Sequence, residues 1–208
     1  MKIAAKIKLI IKAASLSAGL FFSFSGLGQE KEAINWMSFD KAVELAQKKP
    51  KQIIVDVYTQ WCGPCKMMSK NTFQNPVIAK YINEHFYAVK FDAENFDTLK
   101  FSISVPDTVR DKAGKVVKVQ TKKQPLVFIN PNPKGTQRAV HQFAASILDN
   151  KLSYPSFVFL NDKIQRIDIV KGYHTPEQFE PIIVFIGSGT YGKVKFDDFL
   201  KTFKSSLK

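Results

Sequence analysis

The chain has 208 residues, 45% of them hydrophobic, and a formal net charge of +13. That length supports one globular domain with its own core, so the only two cysteines, Cys62 and Cys65, are not needed as a structural staple. The basic surplus is scattered over "KKPK", "KVVKVQTKK" and "KTFKSSLK" with no stripe of interleaved aromatics, which excludes nucleic acid as the expected partner. It reads as a solvated basic surface, with attraction to anionic membrane or acidic partners as the alternative.

The first 28 residues carry Lys2, Lys6, Lys8 and Lys12 and no acid. A basic start, an apolar middle and the small residues Ser25, Gly26 and Gly28 form the order of a secretory signal peptide, expected at 1–28 with cleavage after Gly28. An uncleaved anchor helix is the alternative; Lys12 interrupts the apolar stretch that a membrane span would need. The remainder is then expected to be secreted across the inner membrane and to be soluble in the periplasm. "SFDKAVELAQKKPK" predicts a helix capped by Ser38 and ended by Pro50, with Phe39, Ala42, Val43, Leu45 and Ala46 on its apolar face. "QIIVDVYT" predicts a buried central strand, and "GPCKMMSKNTF" a helix that begins at the cysteines and stops at Asn75-Pro76. A further short helix, "PVIAKYINEHF", leads to a strand, "YAVKFDAE".

Residues 95–138 are less regular. "GKVVKVQTKKQPLVFINPNPKG" predicts two strands and a turn-rich exit, and "QRAVHQFAASILDN" a helix. "YPSFVFLN" and "KIQRIDIVKG" form a hairpin about Asn161-Asp162. "TPEQFEPIIVFIGSG" opens on a Thr cap and a first-turn proline, with Pro181 starting a fresh turn in its middle. "KFDDFLKTFKSS" predicts an amphipathic tail helix. Helices alternating with strands, followed by a hairpin, give an α/β class with one central mixed β-sheet flanked by helices on both faces.

Cys62 and Cys65, three apart at a helix start, lie on one face within disulfide reach. Unpaired N–H groups and the helix dipole favour a thiolate at Cys62, the form that attacks a disulfide. Cys65, a turn deeper, is positioned to resolve the mixed disulfide; Pro64 stiffens the turn and Lys66 adds positive charge. Asp56, an acid inside "IIVDVY", is either a proton carrier with a raised pKa or a structural carboxylate satisfied by backbone donors.

"VDVYTQWCGPCK" resembles the active-site strand, turn and helix of the thioredoxin family, a motif whose redox chemistry is well established. The resemblance runs from about 36 to 187 except for the middle insertion. It implies a thioredoxin fold at 29–190, with an inserted strand/helix region at about 95–138 and a C-terminal tail helix at 191–208. It also implies that Cys62 attacks and Cys65 resolves, with Asp56 as the buried acid and Lys90 as the lysine beside it. Tyr58 stands where well-known members carry a second tryptophan. The family requires a cis-proline facing the cysteines. Pro125 and Pro155 both precede strands, but only Pro155 is followed by a hairpin, Gly172 and a final helix, so Pro155 is chosen. Trp61, Gly63, Pro64, Tyr154 and Pro155 are then expected to line the substrate groove. Roughly sixty residues separate "KFDAE" from "YPSFVF", and this insertion is expected to be a structural layer first and a partner-docking element second.

Other motifs are weaker. "GSGTYG" has only 16 residues after it, too few for a dinucleotide unit, and reads as a flexible linker. His85, His141 and His174 lack zinc-ligand spacing, and Lys66 stands where haem attachment needs histidine, so no metal is expected. The expected function is an extracytoplasmic oxidoreductase of protein disulfides without a bound cofactor. Gly-Pro between the cysteines resembles the reducing members, which favours reductase over oxidase and implies an electron donor in the membrane or in solution. The alternative is a binding or chaperone-like module with a static Cys62–Cys65 disulfide.

Overall fold

The structure, a computed structural model, describes residues 33–132 and 138–207. The expected signal peptide lies outside the described residues. In chain order the elements are β1 (Trp36–Met37), α1 (Phe39–Lys48), β2 (Gln52–Tyr58), α2 (Gly63–Met67) continuing into a π-helical turn (Met68–Thr72), α3 (Pro76–His85) and β3 (Phe86–Asp92). They continue with β4 (Leu99–Arg110), β5 (Val116–Phe128), α4 (Gln142–Ile147), β6 (Ser156–Leu160), β7 (Arg166–Lys171), α5 (Pro176–Gly187) and α6 (Phe196–Leu200).

Five strands form one sheet in the order β1-β3-β2-β6-β7. β1 and β2 run parallel to β3, whereas β6 is antiparallel to β2 and β7 to β6, so the sheet is mixed. Side chains on a strand alternate between faces. Ile53, Val55 and Val57 therefore enter one core with Phe39, Val43 and Phe143 from α1 and α4. Ile54 enters the other with Met68, Ile78, Phe179 and Ile183 from the π-helical turn, α3 and α5. β2 and β6 are buried along nearly their whole length, which explains why they read as unbroken apolar runs.

Asn75 ends one helix and starts the next: its Oδ1 accepts from the N–H groups of Val77 and Ile78, and Pro76 takes the first helical position. Ser38 does occupy the position before α1, but its side chain makes no capping bond. Pro181 does not start a fresh turn. It sits one turn inside a continuous α5, where its missing N–H removes one donor.

The insertion differs most from expectation. It holds one strand over 116–128, not two, and the partner is β4, which pairs antiparallel from Leu99↔Phe128 to Arg110↔Val116. Pro106 and Pro125 argue against strands in a sheet interior. In a two-stranded ribbon every strand is an edge, and both are accommodated. Leu99, Phe101 and Phe128 at the hairpin's base pack on the α1-side core, and Gln47 Nε2 donates to the Ser102 carbonyl. α4 is shorter than predicted. His141 N donates to the Ala93 carbonyl and Gln142 N to that of Ile129, so the chain is held to its neighbours until His141 caps the helix through Nδ1. At the other end Asp149 and Asn150 turn left-handed, at φ 53° and 58°, and close it.

The β6–β7 connection is longer than Asn161-Asp162, running to Gln165, whose carbonyl accepts from Asn161 N, with Ile164 at φ 64°. β1 escaped the sequence reading because two residues carry no period. The "GSGTYG" segment is ordered by hydrogen-bonded turns, with Tyr191 N donating to the Phe185 carbonyl. The tail helix is limited to α6. Phe196 and Phe199 place their ring centroids 5.2 and 5.1 Å from that of Phe185, and Ser205 and Ser206 donate to the buried Glu180.

Phe143 joins the hairpin to the body. Its ring lies 4.3 Å from Phe39, 4.9 Å from Phe91 and 5.5 Å from Phe128, centroid to centroid. Phe143→Ala is expected to cost about 3–5 kcal/mol in denaturant unfolding, because the cavity opens between elements that cannot all collapse onto it.

Candidate active site

β2 delivers the chain to the cysteines. Thr59 accepts a backbone bond from Cys62 N at 3.2 Å, which folds the strand end into the turn that starts α2. Cys62 occupies the cap position of α2, its Sγ accepting from Cys65 N at 3.1 Å, and Pro64 lies in the first turn. Cys62 and Cys65 form a disulfide with their Cα atoms 5.3 Å apart. The two residues are only 3% and 5% exposed, while Trp61, Gly63 and Pro64 around them are open to solvent. Both cysteines are more covered than residues at an exposed helix start would be.

β6 supplies the opposite wall. It runs antiparallel to β2, and Ser156 pairs with Val57, so the residues before Ser156 reach the end of β2 where the cysteines begin. The Tyr154–Pro155 peptide bond is cis, and the Pro155 carbonyl accepts from Gly172 N at 2.8 Å. Pro125, the other candidate, pairs with Ser102 within the β4–β5 ribbon. Tyr154 meets Trp61 edge-on, with ring centroids 6.1 Å apart. Two residues that the sequence reading did not single out hold Trp61: Glu94, whose Oε2 accepts from Nε1 at 3.0 Å, and Arg138, whose guanidinium lies 5.1 Å from the indole centroid. Glu94 was visible only as the last residue of "KFDAE", and Arg138 gave no signal.

Asp56 is 3% exposed and stands in register with Lys90 on β3 and Phe157 on β6. It alternates with Val55 and Val57, so its carboxyl shares the sheet face of Ile54 and the π-helical turn that follows α2. Burial pushes its pKa up to about 7, against the opposing pull of the Lys90 charge. Asp56 Oδ1 has no hydrogen-bond partner among the described residues. Satisfaction by backbone donors, the structural alternative, therefore does not account for that oxygen. Lys90 is a neighbour in register and charge, while its ammonium donates to Ser69 Oγ at 2.9 Å. The sequence reading missed Ser69, which the π-helical turn presents. Such turns recur at functional sites, but nothing in the residue pattern announces one.

No group of acids, histidines and cysteines suited to a metal ion occurs among the described residues, and no described helix is long and apolar enough to cross a membrane.

Residues 26–152 match a family model described as Thioredox_DsbH, protein of unknown function DUF255. The chain is 30% identical over 82 residues to "Thioredoxin-like protein slr0233" of Synechocystis, a match covering 38% of this chain and 75% of that one. It is 32% identical over 85 residues to a thioredoxin of Alicyclobacillus acidocaldarius, again over 38% of this chain and 75% of the other. Among solved structures it is similar to a thioredoxin from Thermus thermophilus, with 13% identity, a TM-score of 0.48, and coverage of 74% of this chain and 87% of that one. The family match spans more than half of the chain and includes Cys62 and Cys65. The chain belongs to the thioredoxin-like family and adopts the thioredoxin fold.

Proposed function

We propose that the protein reduces protein disulfides outside the cytoplasm, using its own dithiol and no bound cofactor. The observation that carries this reading is the Cys62–Cys65 disulfide at the start of α2, at the same end of the sheet as Pro155. In the dithiol form, the Cys62 thiolate attacks one sulfur of a substrate disulfide, and the other sulfur leaves as a thiolate that takes a proton. Cys65 gives up its proton and attacks Cys62 in the mixed disulfide. The second substrate thiol leaves, and the Cys62–Cys65 disulfide forms. Two electrons pass to the substrate, so a dithiol donor in the membrane or in solution must return two. Asp56, neutral or charged near pH 7, takes the Cys65 proton, and Lys90 beside it steadies the charged form. Trp61, Gly63, Pro64, Tyr154 and Pro155 form the surface on which the substrate lies. The basic, apolar start of the chain supports export to the periplasm.

The low exposure of both cysteine residues favours a second reading, a binding module with a static disulfide. Equilibration with glutathione separates the alternatives. A potential near thioredoxin's, about −270 mV, together with turnover of a disulfide substrate, is the expected result. A value near about −120 mV would reverse the direction of electron flow. A pair below about −300 mV with no turnover would establish the static disulfide.

A further inference from the structure

Beside Cys65 the surface sinks into a groove of about 460 Å³, whose lining includes Thr59, Cys65, Lys66, Ser69, Lys70 and Lys90 and no carboxylate. A second hollow of about 240 Å³ shares Ser69 and Lys90 with it. Among the described residues, none of these three lysines has a carboxylate within 4.0 Å. Lys90 is half-buried. Its ammonium is held by Ser69 Oγ and by the rings of Tyr58 and Trp36, at 5.2 and 5.7 Å, all of them neutral. Thr59 is 1% exposed, and its hydroxyl has no partner among the described residues. Three lysines lining one groove that has no carboxylate in its lining, beside an unsatisfied hydroxyl, make a place for an anionic oxygen ligand.

The nearby acids do not fill it. Asp56 faces Lys90 across the β2–β3 pair from inside the core. Asp92 is engaged by Gln60 Nε2 at 2.8 Å. The groove is open to the surface, shares Ser69 and Lys90 with a neighbouring hollow and has the resolving cysteine in its wall. Those features suit a side chain on an extended polypeptide crossing the site.

We propose that this groove seats a carboxylate side chain of a protein redox partner, an Asp or Glu in the segment that docks against the cysteine pair. The inference rests on the redox reading of that pair. It assigns Lys66 and Lys70 to partner recognition and gives Lys90 a second contact beyond its neighbour Asp56.

The test is a titration of the oxidised protein with a fluorescently labelled extended peptide containing two glutamates, and with its glutamine counterpart, at low ionic strength. The acidic peptide is expected to bind about fivefold more tightly, the sum of a few exposed charge contacts, and to lose that advantage in high salt. The preference disappears in the K66Q/K70Q variant. It persists in K112Q/K115Q, which removes the same charge from the hairpin turn. Equal binding of the two peptides, or equal loss in both variants, overturns the proposal in favour of diffuse surface charge. Competition by free glutarate as effective as that of the acidic peptide overturns it in favour of a small-anion site. Binding is read on the disulfide form and does not depend on turnover. A protein that prefers the acidic peptide yet reduces no disulfide would therefore overturn the oxidoreductase reading alone.

Discussion

Cys65→Ser is expected to convert the protein from a turnover catalyst into a trap. With Cys62 free and no resolving thiol, each encounter stops at the mixed disulfide. Mass spectrometry of the folded protein should find a covalent adduct through Cys62 that a small dithiol releases. Turnover should fall roughly 100-fold or more, because resolution by a sulfur already held nearby is replaced by a bimolecular reaction. Cys62→Ser should form no such adduct. The two residues are almost equally covered, so accessibility of the residues as wholes does not set their roles. What distinguishes them is setting: Trp61, Gly63 and Pro64 around Cys62 are open to a partner, while Cys65 is in the wall of the lysine-lined groove. Adducts forming through Cys65 in the Cys62→Ser variant, with none through Cys62 in the converse variant, would exchange the assignments.

Asp56→Asn is expected to stabilise the protein in mild alkali while slowing it. The Asp56 carboxyl rises from 3.8 to about 7 on folding because burial disfavours its charge. A raised folded pKa means that the folded state holds the proton more tightly than the unfolded chain. The stability linked to that proton is fully present below about pH 4 and is lost progressively as pH rises through about 7. At ~1.4 kcal/mol per unit, the loss by pH 8 is about 4 kcal/mol. Asparagine carries no such charge. Denaturant unfolding should therefore show the variant gaining on the parent as pH rises from 5 to 8. At pH 8 reduction of a disulfide substrate should slow, with the mixed disulfide accumulating, if Asp56 takes the Cys65 proton. Unchanged resolution kinetics across that range would remove Asp56 from the chemistry and leave it a buried acid only.

The parts of the fold legible in the sequence are those in which one physical cause dominates. β2 and β6 are buried on both faces and read as apolar runs, and Asn75-Pro76 carries a cap and a helix start in two residues. Cys62, Cys65 and Asp56 stood out as chemistry in a setting that otherwise explains itself. The features that escaped depend on partners distant in sequence. β4 alternates Leu99, Phe101, Ile103 and Val105 with polar residues, but Pro106 and Pro125 obscured a ribbon whose identity lies in its pairing. Ser69 depends on a local change of helical period, and the hold of Glu94 and Arg138 on Trp61 exists only after the loops fold back. Chain order separated Pro155 from Pro125, because a hairpin and a helix had to follow it.

The β4–β5 ribbon also bears on how the site is assembled in time. The cysteines meet Pro155 only when β2 pairs with β6, which joins Ile53 to Leu160 across the middle of the chain. Closing a long loop is costly in entropy and slow, and contacts between distant residues limit folding rates. The ribbon pairs residues close in sequence, from Arg110↔Val116 outward to Leu99↔Phe128, so it can zip from its turn before the larger loop closes. Once zipped, it shortens the effective span between β2 and β6. The insertion thereby acts as a kinetic shortcut: weakening its turn should slow folding more than it speeds unfolding.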